Sequence, residues 1–142
     1  MTDQTQSLIV EREFPHAPGK IWRALTQPHL IAEWLMQNDF APTTGHHFTL
    51  RTQPHGDWNG IIDCEVLTVE PDKTLTYSWV SGEGPQRLAT LVTWTLTPTG
   101  AGTHLRMEQS GFRTDQPQNY QGAKYGWNLF FDKMQAVLAK PD

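Results

Sequence analysis

The chain has 142 residues, 37% of them hydrophobic, with 11 Lys and Arg against 15 Asp and Glu for a net charge of -4. That length suits one domain with a real core, and mild acidity without basic runs excludes an electrostatic nucleic-acid surface. The single cysteine, Cys64, excludes an intramolecular disulfide framework and a cysteine-based zinc site.

No apolar run approaches the roughly 20 residues of a membrane span, so no stable membrane insertion is expected. Met1 to Ser7 is polar and lacks the apolar centre of a signal peptide. The expectation is a cytoplasmic protein with a flexible tail over residues 1–7 and a single domain over residues 8–140.

Leu8 to Phe14 reads as a first strand, with Leu8, Val10, Arg12 and Phe14 on one face by alternation. Pro18 and Pro28 each sit where a first helical turn would begin. Ile21, Trp22 and Leu25 follow one of them, and Leu30, Ile31, Trp34 and Leu35 the other. Helices so short need a sheet to close against. Asn38 to Gly45 reads as loop. His46 to Thr52 places Phe48 and Leu50 on one face, and Pro54 to Asp57 reads as a turn. From Gly60 to Val69 the alternation Ile62, Cys64, Val66 changes parity to Leu67 and Val69, which predicts a β-bulge near Val66.

Pro71 to Lys73 is a tight turn into a strand carrying Leu75, Tyr77 and Trp79 on one face. Gly82 to Pro85 is another turn. Leu88 to Thr97 directs Leu88, Val92, Trp94 and Leu96 one way and a small, Thr-rich face the other. Gly100 to Gly102 reverses the chain, and His104 to Ser110 returns with Leu105, Met107 and Gln109 inward. Gly111 to Asn119 reads as a polar loop. Tyr120 to Lys140 then carries Ala123, Trp127, Phe130, Phe131, Met134, Val137 and Leu138 at helical spacing. The expected fold is α+β: a curved antiparallel sheet of six to seven strands, two short helices, and a long C-terminal helix across the apolar face.

In that order and spacing, several short pieces carry a resemblance. They include Val10-Glu11-Arg12 with Pro18, Trp22 and Pro28, then Trp34, Gly45 and Phe48. Glu65-Val66-Leu67, Val69-Glu70-Pro71, Leu75-Thr76-Tyr77-Ser78-Trp79, Ser110-Gly111-Phe112 and Gly126-Trp127 continue the series. The pattern spans about residues 8–138 and resembles the START/Bet v 1-like (SRPBCC) helix-grip superfamily. Within it, the chain is most similar to the C-terminal domain of activator of Hsp90 ATPase. The resemblance implies an apolar cavity between sheet and long helix. It also implies relatives that carry lipids or polyketides, cyclise polyketides, or stimulate an Hsp90-type chaperone.

Six tryptophans, at positions 22, 34, 58, 79, 94 and 127, fit either a bulky core or the wall of a cavity for a flat molecule. The expected lining is Phe48, Leu50, Trp79, Val92, Trp94, Met107, Trp127, Phe131 and Met134, with Trp34 near the mouth. Arg12, Tyr77 and Gln109 are the inward polar groups. An inward Arg12 needs a partner: a ligand carboxylate or phenolate, Gln109, a backbone carbonyl, or water beyond the sheet end. His46 and His47 point to opposite faces of a strand, so they cannot share an ion, and no metal or other cofactor is expected. Cys64 has no evident base and reads as a small hydrophobe. The expected function is binding of a planar aromatic, polyketide-like or lipid-like molecule. A cyclase or dehydratase using Arg12, Tyr77 or Gln109 is one alternative, and an Hsp90-type chaperone partner is another.

Overall fold

The computed structural model describes residues 5–54, 56, 58–82 and 87–140. The turns expected at Pro54 to Asp57 and Gly82 to Pro85 lie partly outside the described residues. The elements run β1 (Thr5–Phe14), α1 (Pro18–Thr26), α2 (Pro28–Trp34), β2 (Gln37–Asn38), β3 (His47–Arg51), β4 (Ile61–Glu70), β5 (Thr74–Ser81), β6 (Leu88–Pro98), β7 (Thr103–Arg113) and α3 (Pro117–Leu138). The seven strands form an antiparallel sheet in the order β1-β7-β6-β5-β4-β3-β2. Consecutive hairpins produce the meander from β2 to β7, and β1 closes the far edge beside β7. This is the helix-grip fold, with α3 against the apolar face of the sheet.

Local chemistry accounts for the boundaries. Pro18 and Pro28 open α1 and α2, and Gln27 serves as the end of one and the start of the other. The Trp34 indole Nε1 donates to the Ala24 carbonyl at 2.8 Å and locks the two helices together. The bulge expected near Val66 is present. Val66 faces Tyr77 and Thr68 faces Thr76, leaving Leu67 as the extra residue.

Three boundaries differ from the sequence expectation. Thr5 to Ser7 belong to β1, not to a tail, because their backbone groups pair with Arg113, Phe112 and Ser110 of an equally extended β7. β7 runs on past Gly111, which is a bulge and not a strand end. Ser7 faces Ser110 while Gln6 faces Phe112, and Gly111 takes a φ of 105° that favours glycine. α3 opens at Pro117, three residues before the expected Tyr120.

Trp94, Phe131, Met107 and Met134 are fully buried at the centre of the core. Trp94 meets Trp34 edge-on at 5.7 Å and Trp127 at 5.6 Å, and stacks on Phe131 at 5.8 Å. A second cluster, Phe40, Phe48 and Tyr77, fills the space beneath β3. Among the described residues, no helix is long and apolar enough to cross a membrane.

Asp39 pins the segment after β2 to β3. Its Oδ1 accepts from the Thr49 backbone N–H at 2.7 Å, and that bond holds the carboxyl below its ordinary range. A depressed carboxyl contributes stability above its unfolded pKa of about 3.9 and loses it as pH falls through the folded value. Asp39→Asn is therefore expected to lower Tm by a few degrees at pH 7, with the gap to the parent protein narrowing below about pH 4. Thermal unfolding from pH 7 to pH 3 checks this, and a gap that ignores pH would refute it.

Candidate functional site

The two halves of α3 have different surroundings. Its C-terminal half is clamped by the short helices and by β1. Lys140 Nζ donates to Glu33 at 2.8 Å, and Lys20 Nζ donates to the Lys140 carbonyl at 3.2 Å. Arg12 Nη1 donates to Asp132 at 2.9 Å and to Gln135 at 3.3 Å, with its guanidinium 5.5 Å from the centre of the Phe131 ring.

Along the N-terminal half a cavity of about 830 Å³ separates α3 from the ends of β4, β5 and β6. Its aromatic wall is Trp58, Trp79, Trp127 and Phe130; Ile61, Ile62, Leu88 and Met36 add aliphatic surface. On the helix side the lining is Asn119, Gly122, Ala123 and Gly126. A Cβ built on Gly122 or Gly126 would meet nothing within 4 Å, so both glycines face open space.

Beside the cavity runs a buried chain of hydrogen bonds whose direction chemistry fixes. The Trp127 indole can only donate, and it donates Nε1–H to Gln109 Oε1 at 2.7 Å. The Gln109 amide is thereby oriented, and its Nε2 donates to Thr90 Oγ1 at 2.8 Å. Thr90 Oγ1 in turn donates to the Trp79 carbonyl at 2.9 Å. The chain ties α3, β7, β6 and β5 together at the cavity, and Gln109 is only 2% exposed. One Nε2–H of Gln109 remains without an acceptor among the described residues.

Of the residues expected to form the site, Trp79, Gln109 and Trp127 line this cavity. Phe48, Leu50, Val92, Trp94, Met107, Phe131 and Met134 are buried in side-chain packing instead. Trp34, expected near the mouth, is 1% exposed and bonded to α1. Tyr77 is also in the core, where its hydroxyl accepts from Trp94 Nε1 at 3.0 Å and burial pushes its pKa up. Arg12 does not line the cavity; the partner its charge needs is the Asp132 carboxylate of the helix. Sequence reading missed Trp58, Phe130 and the two glycines. Phe130 was in the helical stripe, whereas Trp58 is isolated between turns and carries no periodic signal.

Cys64, His46 and His104 are not among the lining residues of the cavity. Cys64 is buried, and desolvation pushes its thiol pKa up, so it stays protonated at neutral pH. His46 bonds the Asp39 carbonyl and stacks on Phe48, while His104 pairs with Glu11. Among the described lining residues the one titratable side chain is Asp63, which is exposed.

The protein MLL2253 from Mesorhizobium loti, solved by X-ray crystallography, is 55% identical over 96% of this chain and 99% of its own, with a TM-score of 0.88. CalU16 from Micromonospora echinospora shares the fold at 23% identity and a TM-score of 0.78, over 95% of this chain and 77% of its own. DynU16, a protein of the dynemicin biosynthetic locus, is 28% identical with a TM-score of 0.74; the match covers 96% of this chain and 48% of that one. No curated protein matches the chain. The family model described as activator of Hsp90 ATPase homolog 1-like protein matches residues 15–139, and the chain belongs to that family.

Proposed function

We propose that the protein binds a flat, largely apolar small molecule in the cavity under the N-terminal half of α3. The observation that carries this reading is the cavity itself: about 830 Å³, walled by three tryptophans and Phe130, with the buried Gln109 amide beside it. Sites for small molecules are concave, mostly apolar, roughly 300–1,000 Å³ in volume, and supplied with a few placed polar groups. The likeness to DynU16, from a biosynthetic locus, supports a small organic ligand. Binding is favoured over acid–base turnover because the lining holds no buried titratable group, and a general acid or base must reach the reacting proton.

A thermal-shift screen of planar polyphenols and polyketides, fatty acids, phospholipids and unrelated metabolites tests the proposal. A ligand at 100-fold its Kd adds about 2.7 kcal/mol, which for a domain of this size raises Tm by roughly 5–10 °C. The planar class is expected to shift the transition. A flat response across all classes would overturn the reading. The family's description favours a second reading, docking on an Hsp90-type chaperone. Its test is stimulation of that chaperone's ATPase by the purified protein.

A further inference from the structure

The two halves of α3 are held very differently. From Trp127 onward the helix is built into the core: Trp127, Phe131, Met134 and Leu138 are buried, and Arg12 and Glu33 hold Asp132 and Lys140 at that end by ion pairs. From Pro117 to Gly126 no residue is buried. The first turn has no side-chain cap at Gln116 and no acidic residue to meet the helix dipole. Gly122 and Gly126, poor helix formers, both fall in this half, and a Cβ on either would meet nothing within 4 Å. Its aromatic tie to the sheet is Tyr120, edge-on to Phe112 at 5.7 Å. Asn119, Gly122, Ala123 and Gly126 line the cavity, so what lies beneath them is space and not packed side chains.

We infer that the first turns of α3, Pro117 to Gly126, open as a unit separate from the rest of the helix, and that a molecule in the cavity holds them closed. The inference rests on the cavity being the binding site and adds a segment of the fold that responds to its occupancy. Local opening costs least where few apolar contacts are lost and water already reaches the chain. Here it gives up the Tyr120 contact and the hydrogen bonds of a glycine-containing stretch of helix. It stops at Trp127, where core packing begins and the indole is anchored on Gln109 at 2.7 Å. A ligand lying against Ala123 and the glycines meets them only in the closed form, so its binding free energy adds to that of closure.

Amide hydrogen exchange of the full chain, followed residue by residue by NMR, tests it. In the free protein, amides of residues 121–126 are expected to exchange at least about 30-fold faster than those of residues 130–137, relative to their intrinsic rates. Urea below the unfolding transition should speed the second group steeply and the first little, because local opening exposes little surface. Gly122→Ala should slow residues 121–126 about fivefold through its gain in helix propensity. The neutral, flat probe 6-propionyl-2-(dimethylamino)naphthalene, at about 100-fold its Kd, should slow them at least about tenfold. A smaller difference between the halves, the same urea dependence in both, or no slowing in Gly122→Ala would overturn the inference and leave the cavity as a binding site. A bound probe that leaves residues 121–126 exchanging as before would overturn the closure. A probe that does not bind would overturn the cavity reading and the closure with it, while exchange in the free protein still decides whether the segment opens.

Discussion

Gln109→Met is expected to destabilise the protein by about 1–3 kcal/mol, although the side chain keeps nearly the same length. The reason is the direction of the buried chain. Trp127 Nε1 can only donate, and Gln109 Oε1 is its acceptor at 2.7 Å. With Met at that position the indole N–H is stranded among apolar groups, while Thr90 still donates to the Trp79 carbonyl. The loss therefore falls mainly on one donor. Trp127→Phe removes that donor and leaves the Gln109 oxygen without its partner, so it has a cost of its own. The double variant has neither stranded group, and should cost less than the sum of the single changes by about 1 kcal/mol or more. Denaturant unfolding of the four proteins measures the coupling. Strict additivity would mean that the two side chains do not depend on each other, contrary to the geometry.

Parity along strands and period along the helix identified most of the inward groups, Gln109 among them. That information is about faces. It does not report depth, which is why Phe48, Leu50 and Met107 were expected to line a cavity and instead fill the core. The position of the cavity depends on where α1 and α2 sit. They cover the C-terminal half of α3 and leave its N-terminal half facing open space, a tertiary fact with no local signature. Arg12 shows the same limit from the other side. Its inward parity was legible, but its ion pair with Asp132 joins residues 120 positions apart and depends on how the helix crosses the sheet. Trp58 has no neighbours in a periodic pattern to place it.

Gly126→Leu is expected to move stability and ligand affinity in opposite directions. Glycine inside a helix costs roughly 0.5–1 kcal/mol relative to alanine, and leucine is nearly as good a helix former. α3 carries Gly122 and Gly126 one turn apart, both against the cavity, and neither is forced by a close neighbour. Neither has a positive φ. What they do is leave room. A leucine at position 126 should raise Tm by about 2–4 °C, because it restores helix propensity and its Cβ meets nothing within 4 Å. Its side chain would also occupy space beside Trp127 and Phe130 that a flat ligand needs. Affinity for whichever compound shifts the parent protein should then fall at least about tenfold, or 1.4 kcal/mol. Gly126→Ala separates the two effects. It should gain most of the stability, because propensity changes almost as much, yet keep most of the affinity, because one methyl removes little volume. A leucine variant that is more stable and binds as tightly as the parent protein would place the ligand somewhere other than this cavity. A leucine variant that is less stable would mean that the space beneath the helix is already filled when the protein folds.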